Sequence, residues 1–148
     1  PARVLAAFAG SGAMGMGMLS RGACFAAFFD IDRQAAGLVR KNLEFMGCAG
    51  ARYRVTSGDV LAMSTRGRLF GAPFNLVILD PPYDFDPADV SAFVERLSAS
   101  GSLADDALVL YEHASAKPGL DPLGFIEERD KRYGSTSVQL LRRSTEVE

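Results

Sequence analysis

The most informative stretch of the chain is the turn Asp80-Pro81-Pro82-Tyr83, which follows the apolar run 74–79. Two consecutive prolines fix the backbone and remove two N–H donors, so the turn presents carbonyl oxygens and one carboxylate. Asp80 and the Pro81 carbonyl can accept the two hydrogens of an exocyclic amine, while the Tyr83 ring stacks on the base that carries it. A carboxylate in this position stabilises the positive charge that develops on an attacking amine nitrogen. The turn therefore predicts catalytic roles for Asp80, Pro81, Pro82 and Tyr83.

A glycine-rich turn lies near the start of the chain, where residues 10–15 (GSGAMG) match the pattern G-x-G-x-x-G. The pattern follows a predicted strand and opens a predicted helix, which is the context that the motif requires. Glycines there allow a sharp turn and a close approach of the backbone to a ligand. The pattern alone leaves open a dinucleotide pyrophosphate, the methionyl part of S-adenosylmethionine, or a tight turn without a ligand.

Three acidic residues follow at the ends of predicted strands. Asp30 lies 18 positions after Gly12, where a carboxylate can accept hydrogen bonds from ribose hydroxyls. Asp32 is better explained as the N-cap of the next helix. Asp59 is placed either to reach an adenine amino group or to serve only in a turn. All three belong to the edge at which open α/β sheets bind ligands.

Short apolar runs alternate along the chain with segments of helical periodicity. Strands are predicted at residues 3–8, 24–29, 52–57, 74–79, 107–111, 125–133 and 135–142, and helices at residues 15–20, 33–46 and 87–98. Gly47 is predicted to stop the second helix, and Asp86-Pro87 to begin the third. This order predicts an α/β domain over residues 1–148. Its sheet would be mostly parallel, with helices on both faces and an antiparallel edge.

Composition excludes several classes of protein. The 148 residues carry a formal net charge of -2 and 48% hydrophobic residues, which argues against disorder and against holding nucleic acid by bulk charge. No apolar run reaches the length of a membrane span, and glycines interrupt the only segment that faintly suggests a signal peptide. Cys24 and Cys48 lack the spacing of a metal site or a disulfide framework. We therefore expect a cytoplasmic protein with no bound metal and no membrane contact.

Taken together, the motifs identify a family. The chain resembles the class I S-adenosylmethionine-dependent methyltransferases, and more narrowly the bacterial small-subunit (16S) ribosomal RNA guanine-N(2) methyltransferases. The stretches that carry the resemblance are F-A-G-S-G (8–12), L-S-R-G-A (19–23), Asp30, R-K-N-L (40–43), V-I-L-D-P-P-Y (77–83) and the strand that ends at Glu112.

The resemblance implies a seven-stranded Rossmann-like sheet with a reversed hairpin at one edge. It implies methylation of the 2-amino group of a guanine in 16S ribosomal RNA, with S-adenosyl-L-methionine as cofactor and S-adenosyl-L-homocysteine as product. The partner would be ribosomal RNA or the 30S subunit, and we expect the chain to act as a monomer. The candidate cofactor-binding residues are Phe8, Gly10, Ser11, Gly12, Asp30, Ile31, Asp59, Val60 and Asp80.

Two departures from the family pattern keep other functions open. Ala6 and Gly17 stand where the family usually has acidic residues, both expected near the methionyl end of the cofactor. The basic segment that precedes the first strand in the family is also missing from this sequence. The alternatives are a DNA adenine-amino methyltransferase, an NAD-type oxidoreductase or a degenerate, non-catalytic relative. An oxidoreductase would leave the Asp80 turn unexplained.

Charged residues outside the motifs give weaker indications. Two basic groups can form either a phosphate-binding face or ordinary solvated surface: Arg40, Lys41, Arg52, Arg54, Arg66 and Arg68, and then Arg129, Lys131, Arg132, Arg142 and Arg143. His113, the only histidine, is predicted to lie beyond a strand end in an exposed loop.

Overall fold

The computed structural model describes residues 2–10, 12–82 and 85–144. Within these ranges the chain forms strands and helices in alternation, followed by a hairpin. The strands are β1 (Arg3–Ala6), β2 (Phe25–Asp30), β3 (Tyr53–Ser57), β4 (Phe74–Leu79), β5 (Leu103–Ala114), β6 (Phe125–Tyr133) and β7 (Thr136–Arg143). The helices are α1 (Ala13–Ser20), α2 (Arg33–Phe45), α3 (Val60–Ser64) and α4 (Pro87–Ala99), and a 3₁₀ turn covers Gly50–Arg52.

The strands form one seven-stranded sheet in the order β3-β2-β1-β4-β5-β7-β6. The pairs among β1 to β5 are parallel, whereas β7 lies antiparallel to both β5 and β6. This confirms the expected Rossmann-like sheet with a reversed hairpin at one edge. The connections leave in opposite directions from β1 and β4, and the carboxyl ends of these two neighbouring strands form the crevice where such sheets bind ligands.

Helices cover both faces of the sheet, as the sequence predicts. One apolar cluster joins α1 and α2 to the sheet through Met16, Leu19, Val39, Leu43 and the fully buried Phe28. The other joins α3 and α4 to the opposite face through Val60, Val90, Phe93, Val94 and Leu97. Burying apolar surface on both faces is what holds the strand ends, and the loops that follow them, in fixed positions.

The predicted helix boundaries follow from local hydrogen bonds. The Asp32 carboxylate accepts a bond of 2.9 Å from the Gln34 N–H at the start of α2. Asp86 caps α4 in the same way, with Pro87 at the first helical position. Gly47 adopts a φ of 72° just after α2, a backbone conformation that L side chains rarely adopt, so the predicted stop is confirmed.

The prediction was wrong for the extent of β5 and for His113. β5 runs to Ala114 instead of ending at Tyr111, because β7 continues to pair with it up to the partners Ala114 and Thr136. His113 therefore lies inside a strand and is only 8% exposed. Its Nε2 is 3.1 Å from a carboxylate oxygen of Asp130 on β6, and its ring stacks on Tyr111 at a centroid distance of 5.3 Å.

Two smaller differences concern the loops. β1 ends at Ala6, before the predicted end at residue 8, because the chain turns there into the glycine-rich segment. The sequence prediction also missed the short helix α3, which Asp59 caps. Among residues 2–10, 12–82 and 85–144, no helix combines the length and the apolar character needed to cross a bilayer.

Gly15 allows α1 to approach β2, and replacing it tests how tightly this layer is packed. A Cβ atom at Gly15 would lie 2.4 Å from the ring of the fully buried Phe28. Gly15→Ala should therefore destabilise the fold by roughly 1–3 kcal/mol through overpacking, measured as the free energy of unfolding in urea. The control Gly37→Ala has open space around its Cβ within α2 and should stabilise by about 0.5–1 kcal/mol. Equal effects of the two substitutions would contradict this packing.

Candidate active site

The glycine-rich segment forms a tight turn between β1 and α1. The Ala9 N–H bonds to the Phe29 carbonyl at 2.9 Å, and the Gly12 N–H bonds to the Ala9 carbonyl at 2.7 Å. Gly10 and Gly12 have φ values of 55° and 77°, so the turn needs residues without a side chain. A Cβ at Gly12 would lie 3.1 Å from Val39. Gly12 thus serves the turn and the packing of helices. Ser11, another predicted binding residue, lies outside the described residues.

Asp30 connects this turn to the start of α2. One carboxylate oxygen accepts the Gly10 N–H at 3.0 Å, and the other accepts the Asp32 N–H at 2.9 Å. The Asp30 carbonyl also accepts the Gly58 N–H, at 2.9 Å, from the end of β3. An ionised carboxylate has about four acceptor positions, so its oxygens retain capacity for further donors. Asp30 is half-buried, which leaves it within reach of a ligand.

Asp59 has two roles in the local structure. Its carboxylate accepts the Leu61 N–H at 3.0 Å and so caps α3, which agrees with the simpler explanation of a turn residue. The side chain is also exposed at the edge of the crevice. The N-cap role does not use all of its acceptor positions.

The turn after β4 presents Asp80, Pro81 and Pro82 at the same edge of the sheet. The Pro82 carbonyl accepts the Phe85 N–H at 3.1 Å. The Phe85 ring then meets the Phe8 ring edge-to-face, with centroids 5.2 Å apart. This contact ties the turn after β4 to the end of β1. Tyr83, the predicted stacking residue, lies outside the described residues.

These segments enclose a cavity of about 580 Å³, well within the usual size of a small-molecule site. Its walls come from the segments that follow β1, β2, β3 and β4 and from β5. The predicted residues among them are Phe8, Gly10, Asp30, Ile31, Asp59, Val60, Asp80, Pro81 and Pro82. Residues that the sequence analysis did not assign to the site also line it: Ala7, Gly58, Leu61, Phe85 and Glu112.

Glu112 is the most consequential residue that the sequence analysis left unassigned. Partial burial raises the pKa of Asp80, and the pKa of Glu112 is raised first by burial and then by the negative charge of Asp80. Two neighbouring acids thus stand on the wall of one cavity. Residues 107–111 are apolar throughout, so the sequence carried no alternation that would have signalled a strand continuing beyond Tyr111 and bringing Glu112 to the cavity.

A small adjoining cavity of about 30 Å³ lies on the far side of Asp80. It shares Asp80, Glu112 and the proline turn with the larger cavity, and its other wall includes His113 and Thr136. In the part of the chain that the structure describes, no three His, Cys, Asp or Glu side chains gather closely enough to hold a metal ion. The described groups at this edge are carboxylates, carbonyl oxygens and aromatic rings.

Comparison with known proteins gives a family for this arrangement. The family described as Conserved hypothetical protein 95 matches residues 1–142. Ribosomal RNA small subunit methyltransferase D of Escherichia coli is 32% identical over 149 residues, which cover 99% of this chain and 71% of that protein. The chain belongs to the bacterial small-subunit ribosomal RNA methyltransferase family.

Solved structures agree with this membership. A crystal structure from Haemophilus influenzae, described as a methylase, superposes with a TM-score of 0.85 at 28% identity, over 97% of this chain and 87% of that one. A SAM-dependent methyltransferase from Streptococcus mutans superposes with a TM-score of 0.73 at 13% identity, over 95% of this chain and 44% of that one. The second likeness shows the fold alone, which is that of the class I methyltransferases.

The two departures from the family pattern, Ala6 and Gly17, lie in β1 and α1. Ala6 is 4% exposed and belongs to the apolar cluster under α1 and α2. Gly17 lies in α1, where an added Cβ would approach the Arg21 guanidinium at 3.3 Å. Neither is among the described residues that line the cavity. The expectation that both positions adjoin the cofactor stays a prediction.

The raised pKa values give a prediction with a definite sign. Both acids have folded-state pKa values above their ordinary ones, so they favour the folded chain when protonated, and this contribution is lost as the pH rises through those values. The side chain of the Glu112→Gln variant cannot ionise. The variant should therefore have a higher free energy of unfolding than the unchanged chain at about pH 7, and this difference should shrink toward about pH 3. Urea unfolding at both pH values measures it.

A second substitution tests why the pKa of Glu112 is raised. Asp80→Asn removes the neighbouring negative charge and should lower the pKa of Glu112, as followed by a carboxyl NMR titration. Two results together would contradict the proposed coupling between the Asp80 charge and the pKa of Glu112. One is a stability gain from Glu112→Gln that is equal at both pH values, and the other is an unchanged pKa of Glu112 in the Asp80→Asn variant.

Proposed function

We propose that this chain transfers a methyl group from S-adenosyl-L-methionine to the 2-amino group of a guanine in 16S ribosomal RNA. The observation that carries the proposal is that one cavity holds both the Asp30 carboxylate beside the glycine turn and the Asp80 carboxylate of the proline turn. The first suits a nucleoside cofactor, and the second suits an amine that receives a group. The name of the Escherichia coli relative supports ribosomal RNA of the small subunit as the substrate.

The residues at the Asp30 end fit the adenosyl part of the cofactor. The Asp30 carboxylate, held by two backbone N–H groups, would accept hydrogen bonds from the ribose hydroxyls. Ile31 is 73% exposed beside it and offers an apolar surface for a flat ring, as do Val60 and Leu61. Asp59 would reach the adenine amino group. S-adenosylmethionine, when bound, supplies an electrophilic methyl group on its sulfonium sulfur.

The guanine 2-amino group is a weak nucleophile, and the residues at the Asp80 end would activate it. The lone pair of the guanine amine is delocalised into the ring. Asp80 and the Pro81 carbonyl would accept the two amine hydrogens, hold the nitrogen in position and stabilise its developing positive charge. Pro82 would keep this turn rigid, and Tyr83 would stack on the base.

The closest competing function uses the same turn on a different base. A DNA adenine-amino methyltransferase would present an exocyclic amine to Asp80 in the same way. We favour guanine in ribosomal RNA because the stretches F-A-G-S-G and L-S-R-G-A are specific to that family. By contrast, D-P-P-Y is shared with the adenine enzymes. A degenerate relative without activity remains the outcome to exclude.

A methyl-transfer assay with product identification tests the proposal. The chain is incubated with S-adenosylmethionine labelled in the methyl group and, separately, with 30S subunits, naked 16S ribosomal RNA and duplex DNA. Nucleosides from each substrate are then separated by mass spectrometry. The proposal predicts labelled N2-methylguanosine from one of the two RNA substrates. Labelled N6-methyl-2′-deoxyadenosine from DNA, or no transfer to any of the three, would refute it.

Asp30→Ala tests the cofactor end of the cavity. Loss of charge-assisted hydrogen bonds should cost about 1.5–3 kcal/mol and weaken S-adenosylhomocysteine binding by roughly one to two decades, measured by calorimetry. The control Asp32→Ala removes only the N-cap of α2 and should lower stability by about 1 kcal/mol without this loss of affinity. Equal binding by Asp30→Ala and the unchanged chain would remove Asp30 from the site.

Asp80→Ala tests the chemical step. The carboxylate acts on the amine, so kcat should fall by about 100-fold or more while S-adenosylhomocysteine affinity changes little. Tyr83→Phe should be mild and Tyr83→Ala severe, because stacking needs the ring and not the hydroxyl. As a control, Asp89→Ala removes an exposed acid from the first turn of α4 and should leave kcat unchanged. Near-normal turnover in Asp80→Ala would show that amine activation does not depend on this group.

A further inference from the structure

A second cavity, of about 220 Å³, lies at the β3 edge of the sheet, apart from the cavity described above. Its inner wall is apolar and includes Phe29 and Met63. Its rim carries three arginines and one aromatic ring: Arg54, Arg66, Arg68 and Phe70. We refer to this site as the arginine cavity.

The charge of the arginine cavity favours an anionic ligand. All three arginines are exposed, and no described residue of its lining carries a carboxylate. Guanidinium groups stay charged at any working pH, and their planar set of donors fits the oxygens of a phosphate. This concentration of positive charge occurs in a chain whose net charge is -2, so bulk composition does not account for it.

The exposed ring of Phe70 points to a nucleotide in particular. Phe70 is 63% exposed, although a phenylalanine gains stability by burial. The Arg54 guanidinium lies 4.2 Å from the centroid of this ring, and the Phe25 ring meets it edge-on at 6.4 Å. An aromatic ring beside arginines is the arrangement on which single-stranded bases stack while their phosphates are neutralised. A bare phosphate would make no use of the ring.

The segment that carries these groups is already held in place. Arg3 donates two hydrogen bonds, of 2.9 and 2.7 Å, to the Gly71 carbonyl. The Leu69 N–H bonds to the Ser102 hydroxyl at 3.1 Å, and Arg68 donates to the Ala72 carbonyl at 2.9 Å. Little ordering entropy is therefore lost when a ligand binds, which favours affinity.

The position of the arginine cavity relates it to the candidate active site. The helix α3 has five residues and spans about 7.5 Å. Val60 and Leu61 near its start line the larger cavity, and Met63 near its end lines the arginine cavity. One short helix thus separates the two sites.

We propose that the arginine cavity binds a nucleotide of the substrate RNA that flanks the target base, with its phosphates on Arg66 and Arg68 and its base on Phe70 and Arg54. The inference rests on the proposed function, because it takes RNA as the polyanion that reaches the active site. These backbone contacts would help to offset the cost of moving a target base out of its stack.

The test measures binding of a fluorescein-labelled single-stranded RNA of about 20 nucleotides by anisotropy at several salt concentrations. Arg66→Gln/Arg68→Gln should weaken binding about tenfold or more at low salt and make the salt dependence shallower by about 0.7 per lost phosphate contact. Phe70→Leu should weaken binding about tenfold with an unchanged salt dependence, because it removes stacking and no charge.

The matched control is Arg129→Gln/Lys131→Gln, which removes the same charge from β6 at the opposite edge of the sheet. It should change binding by less than about twofold. Equal losses from both double variants, or no detectable binding of this RNA by the unchanged chain at low salt, would overturn the proposal. So would full affinity in Arg66→Gln/Arg68→Gln.

Calorimetry with S-adenosylhomocysteine separates this inference from the proposed function. None of the arginine variants should alter that affinity, since these arginines line a different cavity. An unchanged chain that binds RNA through the arginine cavity but neither binds S-adenosylhomocysteine nor transfers methyl groups would refute only the proposed function. A chain that methylates RNA without depending on the arginine cavity would refute only this inference.

Discussion

The two hydrogen bonds that the Asp30 carboxylate accepts, from Gly10 and Asp32, hold together the segments that form the candidate site. They join the turn after β1 to the start of α2, and the Asp30 carbonyl adds the end of β3 through Gly58. Three strand ends are thereby fixed around one residue. The same carboxylate keeps acceptor capacity for a ligand, so the group that orders the loops also faces the cavity that they enclose.

The opposite wall of the cavity depends on a different physical constraint. The proline turn after β4 cannot donate backbone hydrogen bonds from Pro81 or Pro82, and its Asp80 stands beside Glu112. Partial burial raises the pKa of both acids, and the charge of Asp80 raises that of Glu112 further, which weakens the folded state at neutral pH. Such a cost is typical of sites that are arranged for chemistry instead of stability. Under the proposed function, Asp80 accepts this cost in order to activate the amine.

The features that the sequence predicts are those specified locally. The caps at Asp32 and Asp86 and the helix stop at Gly47 depend on neighbours in the chain, and all three are confirmed. The order of strands and helices follows from apolar periodicity. At the level of the site, Asp30 and Asp80 line one cavity because the carboxyl ends of parallel strands share an edge.

The features that the sequence analysis missed depend on pairing between distant segments. β5 extends to Ala114 because β7 pairs with it, and this buries His113 against Asp130 and brings Glu112 to the cavity. Phe85 was missed for the same reason, since its place is set by the Phe8 ring on another strand end. The arginine cavity is likewise formed by segments distant in the sequence, β3 and the loop before β4. The sequence alone therefore could not show which basic residues line a cavity and which lie on solvated surface.

We propose that one cavity brings a cofactor held by Asp30 to an amine held by Asp80. A crystal structure of this chain with bound S-adenosylhomocysteine tests it most directly. We expect both ribose hydroxyls within hydrogen-bonding distance of the Asp30 carboxylate, with the bond from Gly10 retained. The sulfur should lie toward the turn 80–82, and the Asp80 carboxylate should remain free of the ligand. S-adenosylhomocysteine bound in another cavity, or bound here with its ribose away from Asp30, would show that Asp30 does not hold the cofactor.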